Sequence, residues 1–142
     1  MTVEWRASAT IAAPLEQVWD AMVDVEKWPE WTPTVSEAAW LEPGPTKVGR
    51  KARLRQPKLG RAVWEVTEFA APATFAWTHR VPGMVTEGRH ELEEGADGQV
   101  VLRLTLTHTG PMAKLAGWVA GGLTGRYVST EAESLKRRCE GA

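Results

Sequence analysis

The stretch that decides the fold is Ile11-Ala12-Ala13-Pro14-Leu15-Glu16-Gln17-Val18-Trp19-Asp20-Ala21-Met22, closing on Trp28-Pro29-Glu30-Trp31. It reads as a strand that runs straight into a short amphipathic helix and then into a tryptophan-bounded turn. Pro14 sits where a first helical residue belongs, because its fixed φ suits a helix start and no N–H is needed there. Leu15, Val18, Trp19 and Met22 follow at helical spacing and make one apolar face. Pro29 and Pro33 then break the chain into short turns, with one more helical turn expected over residues 27–31.

Upstream, Val3, Trp5, Ala7, Ala9 and Ile11 alternate with Thr2, Glu4, Arg6, Ser8 and Thr10. That period of two marks a strand with one buried and one wet face. Downstream, a weak strand is expected over 36–41 and clearer ones over 49–56, 62–69, 74–80, 85–93 and 99–109. Their connections carry turn residues: Lys58-Leu59-Gly60, Ala71-Pro72, Val81-Pro82-Gly83 and Gly95-Ala96-Asp97-Gly98. Connections this short make neighbours in sequence antiparallel neighbours in space. Gly110-Pro111 then opens a helical tract to about residue 138. Its first half sets Met112, Leu115, Ala116, Val119 and Leu123 on one side of the wheel, and its second half sets Val128, Ala132, Leu135 and Cys139 roughly opposite. Gly121, Gly122 and Gly125 lie between. A kink, break or change of partner is expected there, since a straight helix on one sheet face would not reverse its stripe; the alternative is that the small residues simply let the helix approach the sheet.

The 142 residues fit a single domain spanning 1–142, large enough to bury a core without disulfides or metals. Net charge is −1 with acids and bases interspersed, which leaves no footprint for nucleic acid. No apolar run reaches membrane-spanning length, residues 1–5 do not open a signal peptide, and no stable membrane insertion is expected. The one cysteine, Cys139, excludes an internal disulfide and fits a reducing, cytoplasmic setting. Eight Trp against two Phe and one Tyr make nearly all the aromatic bulk indole, which fills cores and also lines ligand pockets.

Binary patterning turns Ala52, Leu54, Trp64, Val66, Phe75, Trp77, Leu92, Leu102, Leu104 and Leu106 inward. It turns all three histidines, His79, His90 and His108, to the same side, together with Thr86 and Gly88. A hairpin centred on Pro82-Gly83 sets His79 opposite Thr86, and the next turn can set Thr86 opposite His108. The two histidines would then flank Thr86 about 10 Å apart, with His90 further along between Phe75 and Leu104. A polar row on an apolar wall is the pattern of a pocket that orients an amphipathic ligand; each histidine alone reads better as a packed structural residue, and it is the three on one face that bring the functional reading level. The candidate ligand-binding set is Trp64, Val66, Phe75, Trp77, His79, Thr86, His90, Leu104, Leu106, His108, Leu115 and Val119, with His79 and His108 the candidate catalytic bases. The histidines lack metal-ligand spacing, no serine lies in a nucleophile elbow, and no glycine loop cradles a phosphate, so neither metal nor cofactor is expected.

The whole chain resembles the START-like, helix-grip superfamily (also called SRPBCC), and within it the bacterial polyketide cyclase/dehydrase-like group. The carrying features are residues 12–19, Trp28-Pro29-Glu30-Trp31, Val48-Gly49, Trp64-Glu65-Val66-Thr67-Glu68 with the following Pro72, and the closing helix. The resemblance implies an α+β fold: a seven-stranded antiparallel sheet curled around a long C-terminal helix, two short helices after the first strand, and a cavity between sheet and helix. Pro43-Gly44-Pro45 stands where the plant pathogenesis-related relatives carry a glycine-rich loop. The chain also shows no two-histidine, one-carboxylate iron motif like that of the ring-hydroxylating branch. Three functions compete. The first is binding of a hydrophobic or aromatic small molecule (lipid, polyketide-like or isoprenoid-like). The second is an aromatase/cyclase or dehydratase with a cavity histidine as base. The third is a co-chaperone-like interaction module docking through Trp28, Trp31, Trp40 and Trp118. The oligomeric state is left open by the sequence.

Overall fold

The alternation of the first residues becomes strand β1 (Thr2–Ile11), whose Ala9 and Ile11 are buried while Glu4, Arg6, Ser8 and Thr10 face water. The structure is a computed structural model and describes residues 2–141. Helix α1 (Leu15–Val23) follows at once, with Pro14 as its N-cap rather than its first turn, and it buries Val18, Trp19 and Met22. A 3₁₀ helix, Val25–Glu30, supplies the second short element and buries Val25 and Trp28. The Trp28 indole N–H donates to the Met22 carbonyl at 3.0 Å, locking the turn between the two helices.

Six further strands complete one antiparallel sheet: β2 (Glu37–Trp40), β3 (Lys51–Gln56), β4 (Gly60–Ala70), β5 (Thr74–Val81), β6 (Met84–Glu94) and β7 (Val100–Thr109). The seven strands run in the order β1-β7-β6-β5-β4-β3-β2. Short turns explain the consecutive neighbours, and β1 closes on β7 only after the whole meander is laid down. The β4–β5 register shifts between Val66 and Glu68. That bulge bends the strand and puts Phe69, which simple alternation does not assign, against Trp19 and Phe75.

Helix α2 (Ala113–Cys139) crosses the concave face as one continuous helix, so of the kink, break or change of partner expected at Gly121 to Gly125 the break does not occur. The positions over the sheet form one stripe, Ala113, Gly117, Gly121, Thr124, Val128, Ala132, Leu135 and Cys139, and only its composition changes. In the first half it is built of small residues: a Cβ on Gly117 would meet Val3 at 3.1 Å, and one on Gly125 would meet Trp5 at 3.2 Å. The bulky residues there, Leu115, Trp118 and Val119, are exposed, Trp118 to 85%. The glycines thus bring the helix down onto β1 and β7, its main partners in the sheet. Its C-terminal end is bolted in place. Lys136 Nζ donates to Thr10 O, the Ala12 N–H donates to Glu140 Oε2, and Gln17 Nε2 donates to Cys139 O. At the other end Gly110, at φ +122°, lets the chain turn out of β7, and any side chain there would strike the Gly83 carbonyl oxygen at 2.5 Å.

Substitutions along the glycine stripe will separate helix propensity from close approach. A Cβ on Gly121 meets Trp5 at an ordinary 3.5 Å, so Gly121→Ala should stabilise by about 0.5–1 kcal/mol. Gly125→Leu forces the helix off Trp5 and should destabilise by about 1–3 kcal/mol. Urea unfolding of both variants reads the two signs.

Candidate functional site

Because α2 sits over β1 and β7, the concave face of β4, β5 and β6 is left uncovered, and a cavity of about 430 Å³ lies there. That volume is within the range of small-molecule sites. Its wall is made by Trp28, Trp64 and Trp77, with ring centroids 5.3 Å (Trp28–Trp77) and 5.6 Å (Trp64–Trp77) apart. Trp77 lies across Gly88, where a Cβ would meet the indole at 3.2 Å; glycine is what lets the ring lie flat on β6. Leu104 and Leu106 continue the wall on β7, and Thr124, Val128 and Glu131 face it from α2.

The histidine row is assembled as the hairpins dictate. His79 pairs with Thr86, and Thr86 with His108; His90 lies between Phe75 and Leu104. His108 Nδ1 and the Thr86 hydroxyl are 2.8 Å apart. His79 and His90 each donate Nδ1–H to a backbone carbonyl at 3.0 Å, Val63 and Phe75 respectively. A carbonyl can only accept, so the tautomer is fixed, and the neutral ring presents Nε2 as an acceptor. His90 is stacked on Phe75 and sits under Trp28, and burial holds its imidazole down at about 4. Burial also lowers His108.

Trp64, Trp77, His79, Thr86, His90, Leu104, Leu106, His108 and Val119 all line the cavity. Three expected members do not. Val66 and Phe75 are fully buried in the core behind the wall. Leu115 is on the solvent side of α2, 49% exposed. The tryptophans offered as a docking patch do not form one. Trp28 is buried in the core and Trp31 and Trp40 pack against it, leaving Trp118 alone exposed.

The sequence reading missed Glu131. It falls on the sheet-facing side of α2, between Val128 and Leu135, and among the described residues is the only acidic one lining the cavity. The Thr34 hydroxyl donates to its Oε1 at 3.0 Å, and Thr34 is joined in turn to the Thr32 hydroxyl at 2.9 Å. Burial pushes the Glu131 carboxyl up to about 7, against the single bond from Thr34 that favours the ionised form. The available signal was a carboxyl breaking the Val128-Ala132-Leu135 stripe. On the opposite rim, Tyr127 donates its hydroxyl to the Pro57 carbonyl and ties α2 to the β3–β4 turn. Among the described residues no group of three or more His, Cys, Asp or Glu is placed to hold a metal ion, and no helix is long and apolar enough to cross a membrane.

A family model described as polyketide cyclase/dehydrase and lipid transport matches residues 2–140. The chain belongs to that family. Solved structures agree on the fold. A START superfamily protein from Mycobacterium smegmatis is 20% identical over 97% of both chains, with a TM-score of 0.69. The Zhui aromatase/cyclase from Streptomyces sp. R1128 is 16% identical, with 97% of this chain and 96% of that one covered and a TM-score of 0.73. The di-domain aromatase/cyclase StfQ of the steffimycin biosynthetic pathway is 13% identical, with 99% of this chain and 51% of that one covered and a TM-score of 0.79. No curated protein matches. At these identities the likeness to the solved structures is one of fold, and the family's cavity must be interpreted through the residues of this chain.

Two buried groups give the site opposite pH signatures. Between their ordinary pKa values and their folded ones, the unfolded chain binds the His90 proton that the native state refuses, so stability falls as pH drops from 6.5 toward about 4. The native state keeps the Glu131 proton that the unfolded chain releases, so stability falls as pH rises from 4.5 toward about 7. The slopes oppose each other where the windows overlap. Removing the acid with Glu131→Gln should leave a stability that climbs through the histidine window. At about pH 8 it should exceed the native chain's by on the order of 2 kcal/mol. Urea titrations across the range check both the sign and the window.

Proposed function

We propose that this chain binds a hydrophobic or aromatic small molecule in the cavity between its sheet and α2. The observation that carries this reading is an unfilled space of about 430 Å³ walled by three indoles and edged by a few polar groups. Trp64 and Trp77 supply burial; His79, Thr86 and His108 orient a polar end. Burying about 300 Å² of apolar surface at ~25 cal/mol per Å² contributes about 7–8 kcal/mol before association losses. Micromolar affinity then depends on how well the polar groups are used. Native mass spectrometry of gently purified protein, followed by organic extraction, should show an added mass that extracts as an apolar or aromatic compound. A cavity-filling change gives the matching loss. Leu106→Trp should weaken binding of 2-naphthylmethanol at least tenfold with an unchanged melting temperature, measured by calorimetry; unaltered affinity would move the site elsewhere.

A second reading, an aromatase/cyclase or dehydratase, is favoured by one observation: a cavity carboxyl held at about 7. A group titrating near the working pH is suited to proton transfer, whereas His90 at about 4 is too weak a base. Cyclisation of a poly-ketone substrate would need Glu131, or His79 or His108, to accept a proton from a ketone-flanked carbon. Turnover should then rise through a single ionisation near pH 7 and fall about 10²-fold or more in Glu131→Gln. Rates indifferent to that change would return the role to the histidines.

A further inference from the structure

Three groups of the cavity lining, Glu131, His90 and His79, present acceptors to it, beside the Gln56 amide and the hydroxyls of Thr86, Thr105 and Thr124. Glu131 uses Oε1 to accept from Thr34, and no partner for Oε2 is found among the described residues. His90 has spent its only donor, Nδ1–H, on the Phe75 carbonyl and offers Nε2 as an acceptor; His79 is arranged in the same way on Val63. The Trp64 indole N–H lacks a partner but is sealed from any probe. Among the described residues no lysine lines the cavity, and its two arginines, Arg61 and Arg89, already pair through their guanidinium groups with Glu37 and with Glu68, Glu87 and Glu91. Glu131 is half-buried, and its carboxyl has one hydrogen bond and no counter-ion among the described residues, an incomplete arrangement because drawing an ionisable group out of water is costly until it is paired.

The bonding chain behind Glu131 has a direction. The Thr34 amide donates to Thr32 Oγ1, and the Thr34 hydroxyl donates to Glu131, so the Thr32 hydroxyl is left to donate to Thr34. Every proton in this chain points toward the carboxylate and supports its ionised form. An anionic ligand would meet that charge with no cation to offset it. A neutral ligand would leave it unpaired. A cation would complete it, and the faces of Trp28, Trp64 and Trp77 attract positive charge through their ring quadrupoles.

We propose that the cavity selects a cationic aromatic amine, whose ammonium group pairs with Glu131 while its apolar body lies among Trp28, Trp64 and Trp77. This rests on the reading of the cavity as a small-molecule site and names the chemistry of its ligand. Calorimetry on the full chain at about pH 7.5 with three probes sharing one ring tests it: 2-naphthylmethylamine (cationic), 2-naphthylmethanol (neutral) and 2-naphthoate (anionic). The amine should bind at least tenfold more tightly than the alcohol, and the naphthoate most weakly. In Glu131→Gln, which keeps an oxygen for Thr34, the amine should fall to the level of the alcohol while the alcohol shifts less than about twofold. An alcohol that matches the amine in the native chain overturns the inference and leaves the cavity reading standing, and this arm needs no variant. An amine unaffected by Glu131→Gln overturns it as well. Failure of all three probes to bind removes both the cavity reading for a ring of this size and the inference built on it.

Discussion

The close seating of α2 on β1 and β7 is the contact on which the remaining architecture depends. Glycine at 117, 121 and 125 brings the helix down to the side chains of Val3 and Trp5, and a Cβ at 117 or 125 would intrude on them. Lys136, Glu140 and Gln17 then pin its far end to the β1–α1 corner. A helix held this tightly to one edge of a curled sheet cannot also cover the other edge. The space over β4, β5 and β6 is therefore a consequence of where the helix is fixed, and the bulge after Val66 adds local twist to the sheet beneath it. The packed core lies at the α1 end, around Ile11, Val18, Met22, Phe75 and Leu102, and the cavity lies beside it.

That division separates two demands on the aromatic residues. Trp19 and Phe69 pack as core side chains, with centroids 5.4 Å apart. Trp28 and Trp77 belong to both regions: they touch each other and His90, and they also line the cavity. The wall of the cavity is thus rigidly backed by the core. Such backing keeps an apolar space open when empty and reduces the ordering a ligand must impose on entering. The less firmly held boundary is the first half of α2, where Val119 is 73% exposed and the Tyr127–Pro57 bond supplies a link across the rim.

Much of this was legible in the residues. The alternation of β1, the strand-to-helix step at Pro14 and the turn residues fix the antiparallel order, and the Pro82-Gly83 turn sets the pairing that puts His79, Thr86 and His108 in one row. What the pattern could not supply was depth. Val66, Phe75 and Leu104 share the inward face, yet only Leu104 reaches the cavity, because the other two are wholly enclosed in the core cluster. The reversed stripe on α2 was misread for a related reason. Hydrophobic periodicity weighs large side chains, whereas close helix–sheet approach is made by small ones, so Gly117, Gly121 and Gly125 carried the true packing face. Glu131 was overlooked because an acid in a helix reads by default as solvated. Its chemistry arises from burial, and its one hydrogen-bond partner, Thr34, lies almost a hundred residues earlier in the chain.

The two readings of Glu131 exclude each other in use, which gives the site a sharp chemical logic. A carboxyl raised to about 7 by burial can take or give a proton near neutrality, and it holds that property only while no cation stands beside it. Once an ammonium group is seated, the attraction between opposite charges favours the ionised form and lowers the pKa, leaving a counter-ion that is a poor base. A neutral poly-ketone substrate would leave the raised pKa intact and so preserve the base. On the two proposed readings, the charge of the entering molecule, set against the same residue, would decide between binding and proton transfer. Nothing in the fold has to change between the two. Both proposed readings rest on one acid of α2 and its hydroxyl partner Thr34, so they differ in the chemistry of a single side chain and leave the sheet that builds the cavity unaltered.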